Sequence, residues 1–240
     1  MRLPSARVAR LRLDLAPSRF VVLCAGPAVG PIAPRDGIDT VILACAMLQQ
    51  RHGVDTMLIV IGGERSGRRD DKGDDKRDDE GDDERGDKGD DERGGDSGND
   101  TELTRLRQLA RELGVGRAIR FAACQPHTFL DHCHAAADVF ASTPWHPSPA
   151  AASAVARAMS CALPVVGTAG GTAVDATVST AIGTAACAIT ATVRDGVTGY
   201  LVPPRDPENL CQCLARLQRQ PLLARAMGMA GQAHVSATSH

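Results

Sequence analysis

Five side chains able to ligate a metal fall between positions 124 and 134: Cys124, His127, His132, Cys133 and His134. Structural zinc takes four N or S donors in a closed tetrahedron, and the spacing here does not fit one. His132 and His134 are two residues apart and would face different sides of a helix. A second candidate chemistry lies between Glu64 and Asp100, where 17 acidic and 9 basic residues give a net charge of −8. Clustered carboxylates bind calcium when ligand positions are fixed and a bidentate Glu closes the loop, and this run has neither. No metal site is expected from either cluster. The eight cysteines (24, 45, 124, 133, 161, 187, 211, 213) are scattered through apolar stretches. They read as small buried hydrophobes in a reducing compartment.

Outside 64–100 the balance reverses, with 12 acidic and 18 basic residues and a net charge of +6. The total of −2 therefore hides an acidic insert in a mildly basic body. All the lysines, Lys72, Lys76 and Lys88, lie inside that insert, so the body uses arginine alone. The insert repeats a Gly-Asp-Asp-(Glu/Lys) unit and has nothing apolar to bury. It is expected to be a disordered, solvated loop.

Any functional residue must be positioned by an alternation of apolar runs and helical stripes. Phe20 to Ala25 is six residues long, β-branched at its centre and closed by Gly26-Pro27, which is strand length with turn punctuation. The arginines before it superficially resemble a signal peptide, but the strand reading fits better. A helix is predicted at about 38 to 51, a second strand at Thr56 to Ile61, and a helix from Thr101 to Leu113 with apolar residues at Leu103, Leu106, Leu109, Ala110 and Leu113. A strand near Ala118 to Ala122, a short helix at about Thr128 to Ala136 and a strand at Val139 to Ser142 follow. An alanine-rich helix over roughly Ala150 to Cys161 precedes a buried strand at Pro164 to Gly167. Asp206 is placed as an N-cap with Pro207 at the first helical position, opening a helix to about Arg219, and Pro221 starts another. Continuous apolar strands, each followed by a helix, imply a parallel sheet covered on both faces. The fold class is α/β, doubly wound. No run approaches the ~18 apolar residues of a membrane span, so a soluble, cytoplasmic protein is expected, with no nucleic-acid partner.

Four segments carry a family resemblance. Arg19-Phe20-Val21-Val22-Leu23 leads to Pro34-Arg35-Asp36-Gly37-Ile38-Asp39, and the run Asn99 to Asp138 carries ELTRLRQLARELGVGRAIRF and then opens HAAADVF, which ends at Phe140. Thr143-Pro144-Trp145 is followed by Ala158-Met159-Ser160-Cys161-Ala162-Leu163-Pro164-Val165-Val166 and by Gly170-Gly171. The fourth is Asp195-Gly196-Val197-Thr198-Gly199-Tyr200-Leu201-Val202-Pro203-Pro204-Arg205-Asp206-Pro207-Glu208. In order and spacing these resemble the donor-nucleotide half of a GT-B glycosyltransferase of the group 1, or family 4, type. The resemblance implies a Rossmann-like C-terminal domain over 19–235, interrupted by the charged loop at 64–100 and an Ala/Thr-rich insert at about 175–190. A lead-in at 1–18 and a tail at 236–240 flank it. The implied activity is retaining hexosyl transfer from a nucleotide-diphosphate sugar, which is a donor substrate and not a cofactor.

The resemblance also implies site residues. Gly170, Gly171 and Thr172 correspond to the loop that lets backbone N–H groups approach a diphosphate. The family's phosphate arginine falls on Pro27 or Pro31 and its lysine on Asp36, turning attraction into repulsion. Its two hydroxyl-binding glutamates fall on Pro149 and Arg157, and no Asp or Glu occurs between Asp138 and Asp175. Arg35 and Arg157 could partly replace the missing cations, but neither accepts a hydrogen bond from a hydroxyl. Each charge-assisted hydrogen bond contributes roughly 1.5–3 kcal/mol, so losing two weakens a donor by about 10² to 10⁴. No catalytic residue is assigned.

Plainer readings stand beside these. Gly170-Gly171 can be a turn, Arg157 a solvated helix position, Arg35 an exposed loop charge, Trp145 a packing residue and His146 a surface residue. Two functions remain open: a donor half that works with a separately encoded acceptor domain, its partner for sugar transfer, or a non-catalytic remnant or partner module of the same fold. A third, a scaffold whose charged loop recruits a basic partner, is weaker.

Overall fold

A computed structural model describes residues 3–27, 31–62, 97–122, 127–145, 148–169 and 192–238. The charged run 64–96, the Ala/Thr-rich insert, Gly170, Gly171, Thr172, Cys124, Cys187 and His146 lie outside the described residues.

Six strands form one parallel sheet: β1 (Phe20–Ala25), β2 (Thr56–Ile61), β3 (Ile119–Ala122), β4 (Val139–Ser142), β5 (Val165–Thr168) and β6 (Gly199–Val202). Their order is β3-β2-β1-β4-β5-β6, with Val22 opposite Leu58 on one side and Val139 on the other. The helices are α1 (Ala6–Arg12), α2 (Ile38–His52), α3 (Ser97–Glu112), α4 (His127–Ala136), α5 (Pro149–Ser160), α6 (Pro207–Arg219) and α7 (Pro221–Thr238).

The apolar runs are unbroken because each strand is buried on both faces. From β1, Phe20, Val22 and Cys24 enter a core beneath α2, α3 and α6. Val21 and Leu23 enter a second core beneath α1, α4 and α5. The cysteines serve that packing: Cys24, Cys45, Cys133 and Cys211 are buried, and burial pushes the Cys24 and Cys133 thiols up to about 12. Their thiolates are not accessible near neutral pH.

The doubly wound parallel sheet matches the sequence reading, and most element bounds agree within a few residues. The lead-in differs, because it contains α1. Ser5 caps that helix by accepting from the Val8 N–H at 3.4 Å, and Ala9 is fully buried against the second core. Arg10 then donates to the Pro17 and Arg19 carbonyls and to Asp138, fastening the lead-in to the start of β4. Seven residues are too short to show a clear helical stripe.

At the other end Asp206 accepts from the Asn209 N–H at 2.9 Å with Pro207 at the first helical position, as the sequence reading has it. Helix α7 lies on α5, where Gly228 passes so close that a Cβ would sit 1.9 Å from the Ala162 carbonyl oxygen. Gln232 donates to the Ser160 carbonyl at 2.8 Å across the same contact.

Candidate functional site

In an open parallel sheet the ligand crevice lies beyond the carboxyl ends of the strands, where the winding direction reverses. Here that place lies between β1 and β4, since β1 leads to β2 on one side and β4 leads to β5 on the other. The loops that leave these two strands form its floor.

Residues Pro34–Asp36 make a single 3-10 turn, and the Asp36 carboxylate accepts from the Ala33 N–H at 2.8 Å. The acid standing where a lysine is expected therefore has a local structural partner. Gly37 follows with φ of +70°, and a Cβ there would lie 1.7 Å from the Thr143 carbonyl oxygen. Thr143 Oγ1 donates to the Gly37 carbonyl at 2.9 Å, and the Trp145 N–H donates to the Arg35 carbonyl at 2.8 Å. The β1 and β4 loops are thus stitched together twice. Thr168, at the end of β5, adds a third tie by donating to the Pro144 carbonyl at 3.0 Å.

Two cations stand at this rim. The exposed Arg35 has no side-chain partner among the described residues. Arg205, at the end of the loop after β6, lays its guanidinium 3.6 Å from the centre of the Trp145 ring. Arg205 holds a left-handed φ of +58°, unusual for a residue with a side chain. The Trp145 indole N–H is buried with no hydrogen-bond partner among the described residues. Helix α5 begins beside them, with Ser148 accepting from the Ala151 N–H at 3.1 Å and Pro149 in the first turn. Its remaining free N–H groups and dipole favour an anion at this rim.

Arg157 lies elsewhere. It occupies the last turn of α5, at the end away from the crevice, and donates to Asp131 of α4 at 3.0 Å. Its Nε is buried without a hydrogen-bond partner among the described residues. His134 is close by, its Nδ1 bonded to the Leu130 carbonyl at 2.7 Å, and burial holds the ring below its ordinary pKa. His132 is tied likewise to the Thr128 carbonyl. Among the described residues no three His, Cys, Asp or Glu side chains converge as metal ligands.

The sequence reading left Arg205 out of the site. Most of the Asp-Gly-Val-Thr-Gly string shapes the turn into β6 and the start of that strand. Asp195 accepts from the Leu201 N–H, Thr198 accepts from the Arg194 N–H, and Gly199 abuts the Val165 carbonyl. Arg205 alone reaches the rim, and its contact with Trp145 spans sixty positions with no local signal to reveal it.

The sequence profile described as "Glycosyl transferases group 1" matches residues 27–234. The chain belongs to the group 1 glycosyl transferases. Within that family it is 32% identical over 208 residues to the D-inositol 3-phosphate glycosyltransferase of Corynebacterium jeikeium (strain K411), covering 87% of this chain and 38% of that protein. The chain thus spans well under half the length of that relative. Among solved structures, the C-terminal domain of the group 1 glycosyl transferase LpcC from Francisella tularensis superposes with a TM-score of 0.67 at 15% identity, covering 98% of this chain and 93% of that one. The Anabaena protein HepE in complex with UDP-glucose gives 0.66 at 18% identity, covering 97% and 48%. Sucrose-phosphate synthase from Thermosynechococcus elongatus gives 0.62 at 23% identity, covering 98% and 46%. These structures show that the chain has the fold of a group 1 glycosyl transferase domain. None of its described helices is long and apolar enough to cross a membrane.

Proposed function

We propose that this domain holds the diphosphate of a nucleotide sugar in the crevice between β1 and β4, as the donor half of a retaining glycosyl transferase. The observation that carries the reading is the rim itself. Two arginines without carboxylate partners among the described residues, Arg35 and Arg205, stand with the start of α5 where the sheet reverses its winding. A diphosphate needs cations together with backbone N–H donors, and both occur here. Gly170, Gly171 and Thr172 follow directly from β5 and are proposed to supply further N–H groups. Arg157 would have to leave Asp131 to take part. The bound UDP-glucose of the HepE neighbour agrees in ligand class. Transfer itself requires an acceptor placed against the donor, and a separate acceptor domain is part of this proposal.

A second reading has its own support. Asp36 keeps negative charge in the crevice, and no Asp or Glu between 138 and 175 is available to accept from sugar hydroxyls. These features favour a module of the same fold that binds donors weakly or not at all.

Thermal unfolding with UDP, GDP, ADP and UDP-glucose decides between them. A ligand at ten times its Kd stabilises the native state by about 1.4 kcal/mol, which raises Tm by a few degrees. Under the donor reading at least one nucleotide at millimolar concentration gives that shift, and Gly171→Val or Arg35→Ala removes it. The absence of any shift sinks the donor reading.

A further inference from the structure

The end of the sheet opposite the crevice carries a cleft of about 940 Å³, a volume in the range of small-molecule sites. It lies at the amino ends of β1, β4 and β5, where Phe20, Asp138 and Pro164 line it, and is bounded by α1 and by the junction of α6 with α7. Two of its four arginines are neutralised. Arg10 donates to Asp138 at 2.7 Å, and Arg19 pairs with Asp55 at 3.0 Å. Asp138, the one carboxylate among the described residues that line the cleft, also accepts from the Val21 N–H at 2.8 Å. Arg7 on α1 and Arg225 on α7 are exposed, and neither has a carboxylate partner among the described residues. The cleft therefore keeps an excess of positive charge.

Apolar surface gathers at the same place. Leu11 lines the cleft and is 71% exposed, and Leu222, next to the lining Pro221, is 83% exposed. These are the two most exposed large apolar side chains among the described residues. Pro17, Pro164 and Pro221 add carbon to the lining and have no N–H to offer. Exposed apolar surface beside unpaired cations is complementary to an anion with an apolar body. A concave site encloses one molecule, whereas a bilayer needs a flat or convex face. We propose that this cleft binds a single-chain anionic amphiphile, a carboxylate or phosphate head on an acyl chain. Arg7 and Arg225 supply the attraction for the head, and Leu11 with the prolines supplies the surface for the chain. The donor crevice lies at the carboxyl ends of the strands, so this site does not rest on the reading given to that crevice.

Equilibrium dialysis of the full chain against carbon-14 decanoate, kept below its micelle concentration, tests this. One equivalent should bind. Each buried methylene contributes about fourfold in affinity, so octanoate should bind roughly tenfold more weakly than decanoate. Decanol, which has the chain without the charge, should also bind about tenfold more weakly. Arg7→Gln and Arg225→Gln should each weaken decanoate by about threefold, and the two together by about tenfold. Leu11→Asp, which puts a like charge beside the chain, should abolish binding. All three side chains are exposed, so these variants should keep the fold, with circular dichroism as the check. Decanol binding as tightly as decanoate, several equivalents untouched by Leu11→Asp, or no binding at millimolar decanoate overturns the proposal. Sedimentation with phosphatidylglycerol vesicles separates the two sources of such a head and chain. A protein that pellets with vesicles and holds no free decanoate docks a bilayer on this face, and the proposal fails.

Discussion

The Arg157–Asp131 pair ties α5 to α4, and its half-buried position gives it more weight than a surface ion pair. Arg157→Ala should lower stability by about 1–2 kcal/mol in urea unfolding, and Asp131→Ala should add little on top of it. The same substitution should leave any nucleotide-induced Tm shift unchanged, because the guanidinium lies away from the crevice. A reduced shift would place Arg157 in the donor site after all. Beside this pair, His134 is buried against Phe140, with Arg157 and Asp131 facing it. Its pKa is lowered chiefly by burial, so the unfolded chain takes up a proton near pH 6.5 while the native state does not. Its contribution to stability is complete above pH 6.5 and is lost as the pH falls from there through the native value. His134→Leu should flatten the stability profile just below pH 6.5 in urea titrations at successive pH values. Asp138 works in the opposite sense and in a lower range. Burial raises its pKa, so stability falls as pH rises from the ordinary carboxylate value through the native one.

Loops and strands fix these side chains through close backbone approaches, and two glycines separate the causes. Gly37 and Gly53 are both left-handed, at φ of +70° and +64°. A Cβ at Gly37 would collide with the Thr143 carbonyl, whereas Gly53 has nothing within 4 Å. Gly53→Ala should therefore cost about 1–2 kcal/mol, the price of the backbone conformation alone. Gly37→Ala should cost at least about 2 kcal/mol more and should displace the Trp145 loop, as seen in urea unfolding and indole fluorescence. This is also where legibility in the sequence divides. The strands at 20–25, 56–61 and 139–142 were readable because burial on both faces demands unbroken apolar runs. The cap at Asp206 was readable because it is local chemistry. The stitching of Gly37 to Thr143 and the stacking of Arg205 on Trp145 join positions far apart in the chain. No periodicity or local motif encodes such contacts. The partner of Arg157 was hidden for the same reason, since Asp131 sits on a different helix.

Across the whole molecule, two cores share one sheet, and α7 spans the seam between them. Such a body should unfold as a single unit. Trp145 is the only tryptophan, and it sits in the crevice loop. Its fluorescence and the far-ultraviolet circular dichroism should therefore follow the same urea curve. An earlier fluorescence transition would mean that the crevice loosens before the sheet.

The connections on the two edges of the sheet differ in a way that has a consequence for descent. Turns at the amino ends of the strands are short, as at 53–55, 137–138 and 161–164. The two long stretches outside the described residues, 63–96 and 170–191, both come in the sequence after the carboxyl end of a strand, β2 and β5. Each doubling of a loop costs only about 0.6 kcal/mol, so growth on that side scarcely burdens the scaffold. A lineage built on this sheet can change what guards its ligand edge, by lengthening loops there, while the framework beneath is inherited unaltered.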